Sequence, residues 1–590
     1  MHAVGTISGG VALSLMGFYL GIGLTALIRA LIGYDPWHQE LAIVIGFVFG
    51  LVGWLMGIGM WSQWGREWFG LKTYTPHMGG WQRYFMFNHD HKVIGIQYLV
   101  TFSVIFLLAG FLAMLMRAEL AQAESQILTN AQFNSIMSLH GIMMVAVAVA
   151  AVIGGFGNYA VPLMIGADDM AFPRLNALTF WLVPPVAVLL LLTPVMGGLE
   201  TGWTAYPPLS VVTNQSQVLF NLAVITFGLT SILGGLNFII TIIFMRAPGM
   251  TWGKLPIFVW SMFATAWLAL LYTQGFAVGL AMILLDRVAG MSFFRAVEGG
   301  DPLLYQHLFW FYSHPAVYIM ILPGFGMVSH ILASHANKRI FGYKGMVYAT
   351  AFIAVVGFLV WGHHMFSAGM EPWLRVYFSF MSMLVAVPTG IKVFSWLATI
   401  WGGSIQFTTS MMFALGFLGL FTIGGISGVF LANVPFDIQV HDTYFVVAHL
   451  HYVLFGGSAF TLLAGTYYWF PKMTGRYLSE SLGKTIFWLI FIGMNLTFMP
   501  MHWLGIAGMA RRVYTYREEF TALNQFVSAG YLLMLVGGLL LVGNIFYTLA
   551  AKRRTAGPDV WGVNQTQRTL DWETTSPPVP HNFDRIPRVT

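Results

Sequence analysis

The stretch "VVAHLHYVL", residues 446–454, sets two imidazoles, His449 and His451, into a run that is otherwise almost wholly apolar. At ~100° per residue on a helix their side chains point about 200° apart, so the two cannot share one ligand. Each can hold something on opposite sides of the same helix. What kind of helix this is follows from the rest of the chain.

The 590 residues are 57% hydrophobic, 16% aromatic and only 8% charged. A soluble domain carries about 25% charged residues, so this composition cannot cover a water-facing surface. Apolar runs long enough to cross ~30 Å of hydrocarbon recur along the chain. The expected fold is an all-α, polytopic membrane bundle of about fourteen transmembrane helices. The spans read near 9–32, 40–61, 93–116, 135–161, 178–198, 218–246, 256–284, 305–334, 345–370, 373–400, 410–432, 443–470, 484–507 and 524–550. The run "GGVALSLMGFYLGIGLTALI" is long enough to stay as an anchor rather than be cleaved as a signal. With no cysteine, disulfides, thiolate zinc sites and cysteine-bound iron–sulfur clusters are excluded, leaving nitrogen, oxygen or thioether ligands for any metal.

The loop 62–92 carries Arg66, Lys72, Arg83 and Lys92, whereas the turn near 33–40 carries Asp35 and Glu40. The positive-inside rule puts 62–92 in the cytoplasm, and an even number of spans returns Lys552, Arg553 and Arg554 to the same side. Both termini are expected to be cytoplasmic, and the net charge of +6 reflects such loops rather than nucleic-acid binding. Three regions follow: a two-helix N-terminal membrane extension (1–87), a twelve-helix core (88–555) and a polar tail (556–590) containing "TTSPPVPHNF" that is extended, docked or loose. No internal repeat is evident.

This topology gives each intramembrane histidine a depth. His140, His314, His449 and His451 lie near the starts of spans running inward, and His363 and His364 near the end of one running outward. Six histidines from four helices thus share one level in the outer half of the bilayer, where ligating groups are costly unless functional. A layer of imidazoles on facing helices is a metal or haem site. Two planar cofactors flanking the 446–454 helix would answer its opposed histidines, one cofactor also bound by His140, the other open toward His314, His363 and His364. Three imidazoles suit copper, and adjacent His363 and His364 can serve one ion only if their helix loosens locally. His314 and Tyr318 of "HPAVY" share a helical face, with Pro315 freeing backbone between them.

The chain resembles subunit I of the haem–copper oxygen reductases, in the cytochrome c oxidase branch. The matching text includes "GFGNYAVPLMIGADDMAFPRLN", "LYQHLFWFYSHPAVYIMILPGFG", "VWGHHMFSAGM", "AVPTGIKVFSWLATIWGGSI", "HDTYFVVAHLHYVL" and "TLDWETTSPPVPHNF", from about Asn88 onward. The resemblance implies His140 and His451 as axial ligands of a low-spin haem, His449 as ligand of a high-spin haem, and His314, His363 and His364 as copper ligands. Tyr318 matches the tyrosine joined covalently to the first copper histidine. Arg511 and Arg512 match a pair binding haem propionates, as bidentate guanidinium–carboxylate chemistry requires. His441 and Asp442 match part of a magnesium site. Arg117 matches an arginine near a haem formyl group, favouring haem A.

Four-electron reduction of dioxygen also needs protons. Lys392 lies deep in its span, and the resemblance gives it, with Thr389, a proton channel toward Tyr318. Asp169 matches the mouth of a second channel lined by Asn158 and Asn176; the "GNY" and "PRLN" anchors select it over Asp168. The chain departs from many relatives where a glutamate follows the first copper histidine by two residues: here the position is Ala316. "FYSHP" instead places Tyr312 and Ser313 before the histidine, as in a tyrosine–serine subgroup, and Tyr312 is the expected replacement. Its hydroxyl is less acidic than a carboxyl by about six pK units, so it orders water rather than ionising.

The implied activity is a proton-pumping terminal oxidase of the bacterial inner membrane, oxidising cytochrome c. Its implied partners are a subunit II carrying the electron-entry copper site, a subunit III, small membrane subunits and a larger respiratory supercomplex. A quinol oxidase is the nearest alternative, but Leu108, Leu112 and Gln132 stand where quinol-oxidising relatives carry arginine, aspartate and histidine. Tyr318 and Lys392 speak against a nitric oxide reductase. A proton-coupled transporter would be colourless and would not need six histidines at one depth.

Overall fold

The computed structural model describes residues 5–73, 80–551, 556–563 and 569–589. Lys552, Arg553 and Arg554, used above to orient the chain, lie outside the described residues. Among the described residues the structure is helical, with a single isolated β-bridge between Thr443 and Ala510.

Fourteen helices are long and apolar enough to cross a membrane, and the chain is a multi-pass membrane protein. They are α1 (Ile7–Leu31), α2 (Gln39–Trp68), α3 (His91–Glu119), α4 (Asn130–Ile165), α5 (Pro173–Met196), α6 (Ser216–Phe244) and α7 (Ile257–Val288). They continue as α8 (Pro302–His335), α9 (Tyr343–Met365), α10 (Pro372–Ile400), α11 (Thr409–Ala432), α12 (Tyr444–Thr474), α13 (Glu480–Ile506) and α14 (Glu518–Ala550). Each coincides with an expected span. Several ends run further than hydropathy indicated: α2 continues past a kink at Gly59, whose φ is 125°, to the tryptophan-rich stretch ending at Trp68. Caps fix other starts, as where the Thr129 side chain accepts from Gln132 N while the Gln132 side chain accepts from Thr129 N. Gln132 therefore closes a capping box.

α8 is the most buried span. Three local departures from α-helical geometry lie beside it. π turns widen α4 at Ala151–Gly157 and α12 at Leu454–Ala459, and a 3₁₀ turn tightens α9 over Trp361–Met365. Such turns re-aim side chains by tens of degrees and concentrate at functional sites.

The α1–α2 hairpin is in backbone contact. A methyl group on Gly17 would fall 2.3 Å from Phe49 O, and one on Gly53 would fall 2.1 Å from Leu13 O. The hairpin is also tied to the rest of the chain at three points. Trp54 Nε1 donates to Trp181 O at 2.7 Å, Gln63 Nε2 donates to Phe87 O at 2.7 Å, and Glu40 pairs with Arg287 at the end of α7. Arg287 also donates to Ser210 O at 3.0 Å and Thr213 O at 2.9 Å, joining hairpin, α7 and the α5–α6 loop.

The tail is docked. Lys472, at the end of α12, is fully buried and donates to Pro558 O at 2.9 Å and Thr574 O at 2.8 Å, with its ammonium 4.9 Å from the Trp572 ring. Trp469 Nε1 donates to Asp571 Oδ2. Buried cations need such acceptors, and the tail supplies them.

Glu40→Ala leaves Arg287 with carbonyl partners but no carboxylate. It is expected to lower stability by about 2 kcal/mol, read as a reduced denaturation temperature of the detergent-solubilised protein with an unchanged spectrum of any bound chromophore.

Candidate haem and metal sites

A single cavity of ≈ 2270 Å³ runs through the centre of the bundle, larger than the ~300–1,000 Å³ of an ordinary ligand pocket. All six histidines singled out in the sequence line it. They form a pair, a cluster of three and a single ring, His449.

His140 on α4 faces His451 on α12, their rings 6.5 Å apart between centroids and within 8° of parallel. His140 Nδ1 hydrogen-bonds Ala109 O at 2.8 Å, and His451 Nδ1 hydrogen-bonds Val447 O at 2.7 Å. A carbonyl can only accept, so both Nδ1 atoms carry the proton and both Nε2 atoms keep a free lone pair. Two bonds of about 2 Å to a central iron, plus the half-width of each ring, place such centroids ~6 Å apart. The pair fits the two axial positions of a haem. Phe498 stacks on His451 at 4.1 Å and holds its plane.

His449, two residues away, points into the other side of the cavity. Its Nδ1 lies 3.1 Å from Gly424 O and 3.0 Å from Ser427 Oγ, which again leaves Nε2 free. A Cβ on Gly428 would lie 3.0 Å from His449 Cε1, so glycine is what lets the ring lie there. His449 is within electrostatic reach of His363.

His314, His363 and His364 form the one group of three or more metal-ligating side chains found among the described residues, with ligand atoms within 4.8 Å of one another. His314 Nδ1 lies 3.2 Å from His364 Nε2. Two nitrogens bonded to one ion at about 2 Å and a near-tetrahedral angle lie ~3.3 Å apart. The donor set fits a copper ion. The 3₁₀ turn is what brings His363 and His364 to one point, as adjacency required. His363 Nδ1 is held by Ser382 Oγ at 2.7 Å, and His364 stacks on Trp310 at 3.8 Å and 8°. Tyr318 stands edge-on to His314 with centroids 4.8 Å apart, and His314 Nε2 is buried without a hydrogen-bond partner.

Above these groups, two loops are stitched together. Tyr444 N donates to Met509 O at 3.0 Å and Arg511 N to Asp442 O at 2.9 Å. Arg511 Nε donates to Asp442 Oδ1 at 2.6 Å, and both Asp442 and Arg512 take positive φ, 56° and 61°. Arg512 Nη1 reaches Thr204 Oγ1 at 3.4 Å. Burial, helped by neighbouring Arg511, pulls the Arg512 pKa down to about 10. Asp442 pairs with Arg511 while Arg512 has only its Thr204 contact, so the cavity mouth has cationic capacity for further acid groups. His441 Nδ1 pairs with Asp437 Oδ2 at 2.7 Å. Burial opposes the imidazolium, but this carboxylate outweighs it and raises the His441 pKa. Among the described residues no third His, Cys or carboxylate completes a ligand group with His441 and Asp442.

Arg117 is buried on α3. Its Nη2 donates to Asn524 O at 3.0 Å and Ser528 Oγ at 3.0 Å, while Nε and Nη1 have no hydrogen-bond partner of normal geometry. Leu108 and Leu112 pack against the core on the same helix.

Lys392 is wholly buried, its ammonium donating to Thr350 Oγ1 at 2.6 Å and Met346 O at 3.3 Å, so it does not snorkel to a surface. Thr389 donates to Val385 O at 2.9 Å and lines the cavity; no direct hydrogen bond joins it to Lys392 or Tyr318. Tyr312 stacks on Phe276 at 5.1 Å and bonds the Thr273 side chain, with Ser313 buried beside it. Asp169 is half-buried where Asp168 is exposed. Burial drives the Asp169 pKa up to about 7. Asn158 Oδ1 and Asn176 Nδ2 are buried with no partner.

Sequence reading missed several of these side chains, Trp310, Asp437 and Ser382 among them. Trp310 stands four residues before His314 and Asp437 four before His441, a same-face spacing that could have been used. Ser382 gave no signal, because only folding brings α10 to α9.

Residues 93–541 match the family model described as cytochrome c and quinol oxidase polypeptide I. The chain is 51% identical over 517 residues to a cytochrome c oxidase subunit 1 of Thermostichus vulcanus, covering 87% of this chain and 93% of that one. It is 44% identical over 547 residues to the cytochrome c oxidase subunit 1 of Cereibacter sphaeroides, covering 86% and 96%. A solved structure of a heme-copper terminal oxidase dimer superposes with a TM-score of 0.68 at 18% identity, over 79% of this chain and 85% of that one, a likeness of fold.

His363→Ala removes one of three ligating nitrogens and should abolish stoichiometric copper in metal analysis. Ser382→Ala, which frees the His363 ring, should weaken copper retention about tenfold against a chelator.

Proposed function

Since this chain belongs to the cytochrome c and quinol oxidase polypeptide I family and is the haem- and copper-binding catalytic subunit of a terminal oxidase, we propose how its residues divide the work of reducing dioxygen to water with electrons from cytochrome c. The observation carrying this reading is the arrangement of six histidines: a parallel pair 6.5 Å apart beside a cluster of three, with His449 between.

His140 and His451, their Nε2 lone pairs facing one another, would hold the low-spin haem, which would supply electron transfer when bound. His449 would hold the high-spin haem, and His314, His363 and His364 would hold copper. When bound, this haem–copper pair supplies the redox chemistry of dioxygen reduction. Tyr318 stands edge-on to His314, whose free Nε2 suits the covalent junction found in the family, and its hydroxyl supplies a proton and an electron. Arg511 and Arg512 bind propionates, and Arg117, whose guanidinium also meets the Tyr444 side chain, has donors that suit a formyl oxygen, which favours haem A. His441 and Asp442 bind magnesium with a further ligand from outside this chain.

Protons come from the cytoplasm by two routes, one through Lys392 and Thr389 to Tyr318, the other from Asp169 past Asn158 and Asn176 to Tyr312 and Ser313. Gaps between these groups need water, and the unpartnered amide atoms of Asn158 and Asn176 are suitable partners for it. Tyr312, held by Thr273 and Phe276, orders the water that elsewhere a glutamate would serve, and pumping across the membrane is coupled here. The setting is a bacterial inner membrane with both termini cytoplasmic, residues 88–555 forming the oxidase core and 1–87 an added brace. Subunit II carries the electron-entry copper, with subunit III, small membrane subunits and a respiratory supercomplex as further partners. Leu108, Leu112 and the capping role of Gln132 speak for cytochrome c over quinol as donor.

The reduced protein should show haem bands with a carbon-monoxide shift and consume oxygen with reduced cytochrome c; a colourless preparation refutes the reading. Tyr312→Phe should leave those bands intact and reduce the protons moved per electron, measured in reconstituted vesicles.

A further inference from the structure

The docked tail reaches the one acidic group proposed to take up protons. Asn582 is fully buried and sits at φ 64°, a left-handed conformation that asparagine tolerates. Its side chain joins two segments. Nδ2 donates to Ala167 O at 2.8 Å and Asp168 O at 3.0 Å, the loop carrying Asp169. Oδ1 accepts from Lys92 Nζ at 2.8 Å, and the amide also contacts His91 Nε2, both on the first turn of α3. His91 in turn hydrogen-bonds Asn158 O through Nδ1 at 2.7 Å. Asp169 lies between these segments: its carboxylate meets the backbone N–H of His91 on one side and that of Met170, at 2.7 Å, on the other.

The tail is fixed on both sides of this bridge. Thr574 Oγ1 donates to Asn582 O at 2.6 Å, and beyond it Val589 N donates to Pro248 O at 3.0 Å. Asn582 therefore acts as a rigid crosslink rather than a loose contact.

We propose that Asn582 is a positioning residue for proton uptake: it clamps the Asp169 loop against the first turn of α3 so that the carboxylate is presented to the Asn158–Asn176 route at one fixed place. The proposal rests on the reading of Asp169 as the uptake group. A loop released from the clamp admits water, and the charges facing Asp169 (Asp90, Lys92 and the neighbouring Asp168) then act through a higher dielectric. Burial is the main reason its pKa stands at about 7, so release moves it toward the ordinary carboxylate range.

The test uses the intact oxidase complex and single-turnover proton uptake followed with a pH-indicator dye. Asn582→Gly suits the left-handed backbone, adds no charge and removes the side-chain bonds to Ala167, Asp168 and Lys92. Thr574→Val loosens the same bridge from outside and stands in if the first variant does not assemble. Both should keep the haem spectrum, slow uptake about tenfold, and move the midpoint of its pH profile about one unit toward acid. Uptake within twofold of the parent, or slower uptake with an unmoved midpoint, overturns the clamp. Asp169→Asn is the control: if it takes up protons normally, the underlying reading of Asp169 fails, whereas blocked uptake there with normal uptake in both bridge variants rejects the clamp alone.

Discussion

An imidazole at the hydrocarbon depth of a membrane has to satisfy two nitrogens, and in four of the six here one of them is satisfied by protein. His140, His449 and His451 give Nδ1 to the backbone carbonyls of Ala109, Gly424 and Val447, and His363 gives Nδ1 to Ser382. Each such bond fixes a tautomer, a ring plane and a free Nε2 at once. The bundle is arranged so that these carbonyls lie behind the rings and the cavity in front. A haem or copper ion completes a set of donors that is otherwise left short.

The same accounting applies to the charges. Arg287, Lys92, Lys472 and Lys392 are all buried or nearly so, and each finds oxygen acceptors from a different part of the chain. Three of the four are satisfied by the N-terminal hairpin or the C-terminal tail. Regions with no chemistry of their own thereby close the core, because unpaired charge in a low-dielectric interior is the costliest defect available to it. Lys392 is the exception. It has a hydroxyl, a carbonyl and the Phe325 ring at 5.6 Å but no counter-ion among the described residues.

Irregular helix marks where the backbone yields to the site. The 3₁₀ turn over Trp361–Met365 lets consecutive histidines converge. The π turns in α4 and α12 follow the helical turns that carry His140, His449 and His451, and loosen the hydrogen-bond ladder beside the cavity. Left-handed Asp442 and Arg512 turn two outer loops back over it. Regular helices supply the walls, and each departure supplies an aim.

The sequence by itself determined the class of fold, because charge is too scarce for any water-facing surface and apolar runs of bilayer length repeat fourteen times. It also determined that His140, His314, His363, His364, His449 and His451 share a depth, since a span's direction and a residue's place in it are one-dimensional facts. The opposed directions of His449 and His451 follow from helical pitch alone. What pattern could not supply was lateral placement. That Ser382 backs His363, that Glu40 meets Arg287 across 247 positions, or that Asn582 lies against His91, 491 positions away, depends on which helix faces which. In a membrane most spans are apolar on every side, so amphipathic periodicity carries little information about neighbours. Only packing, and the need to satisfy each buried polar atom, decides it.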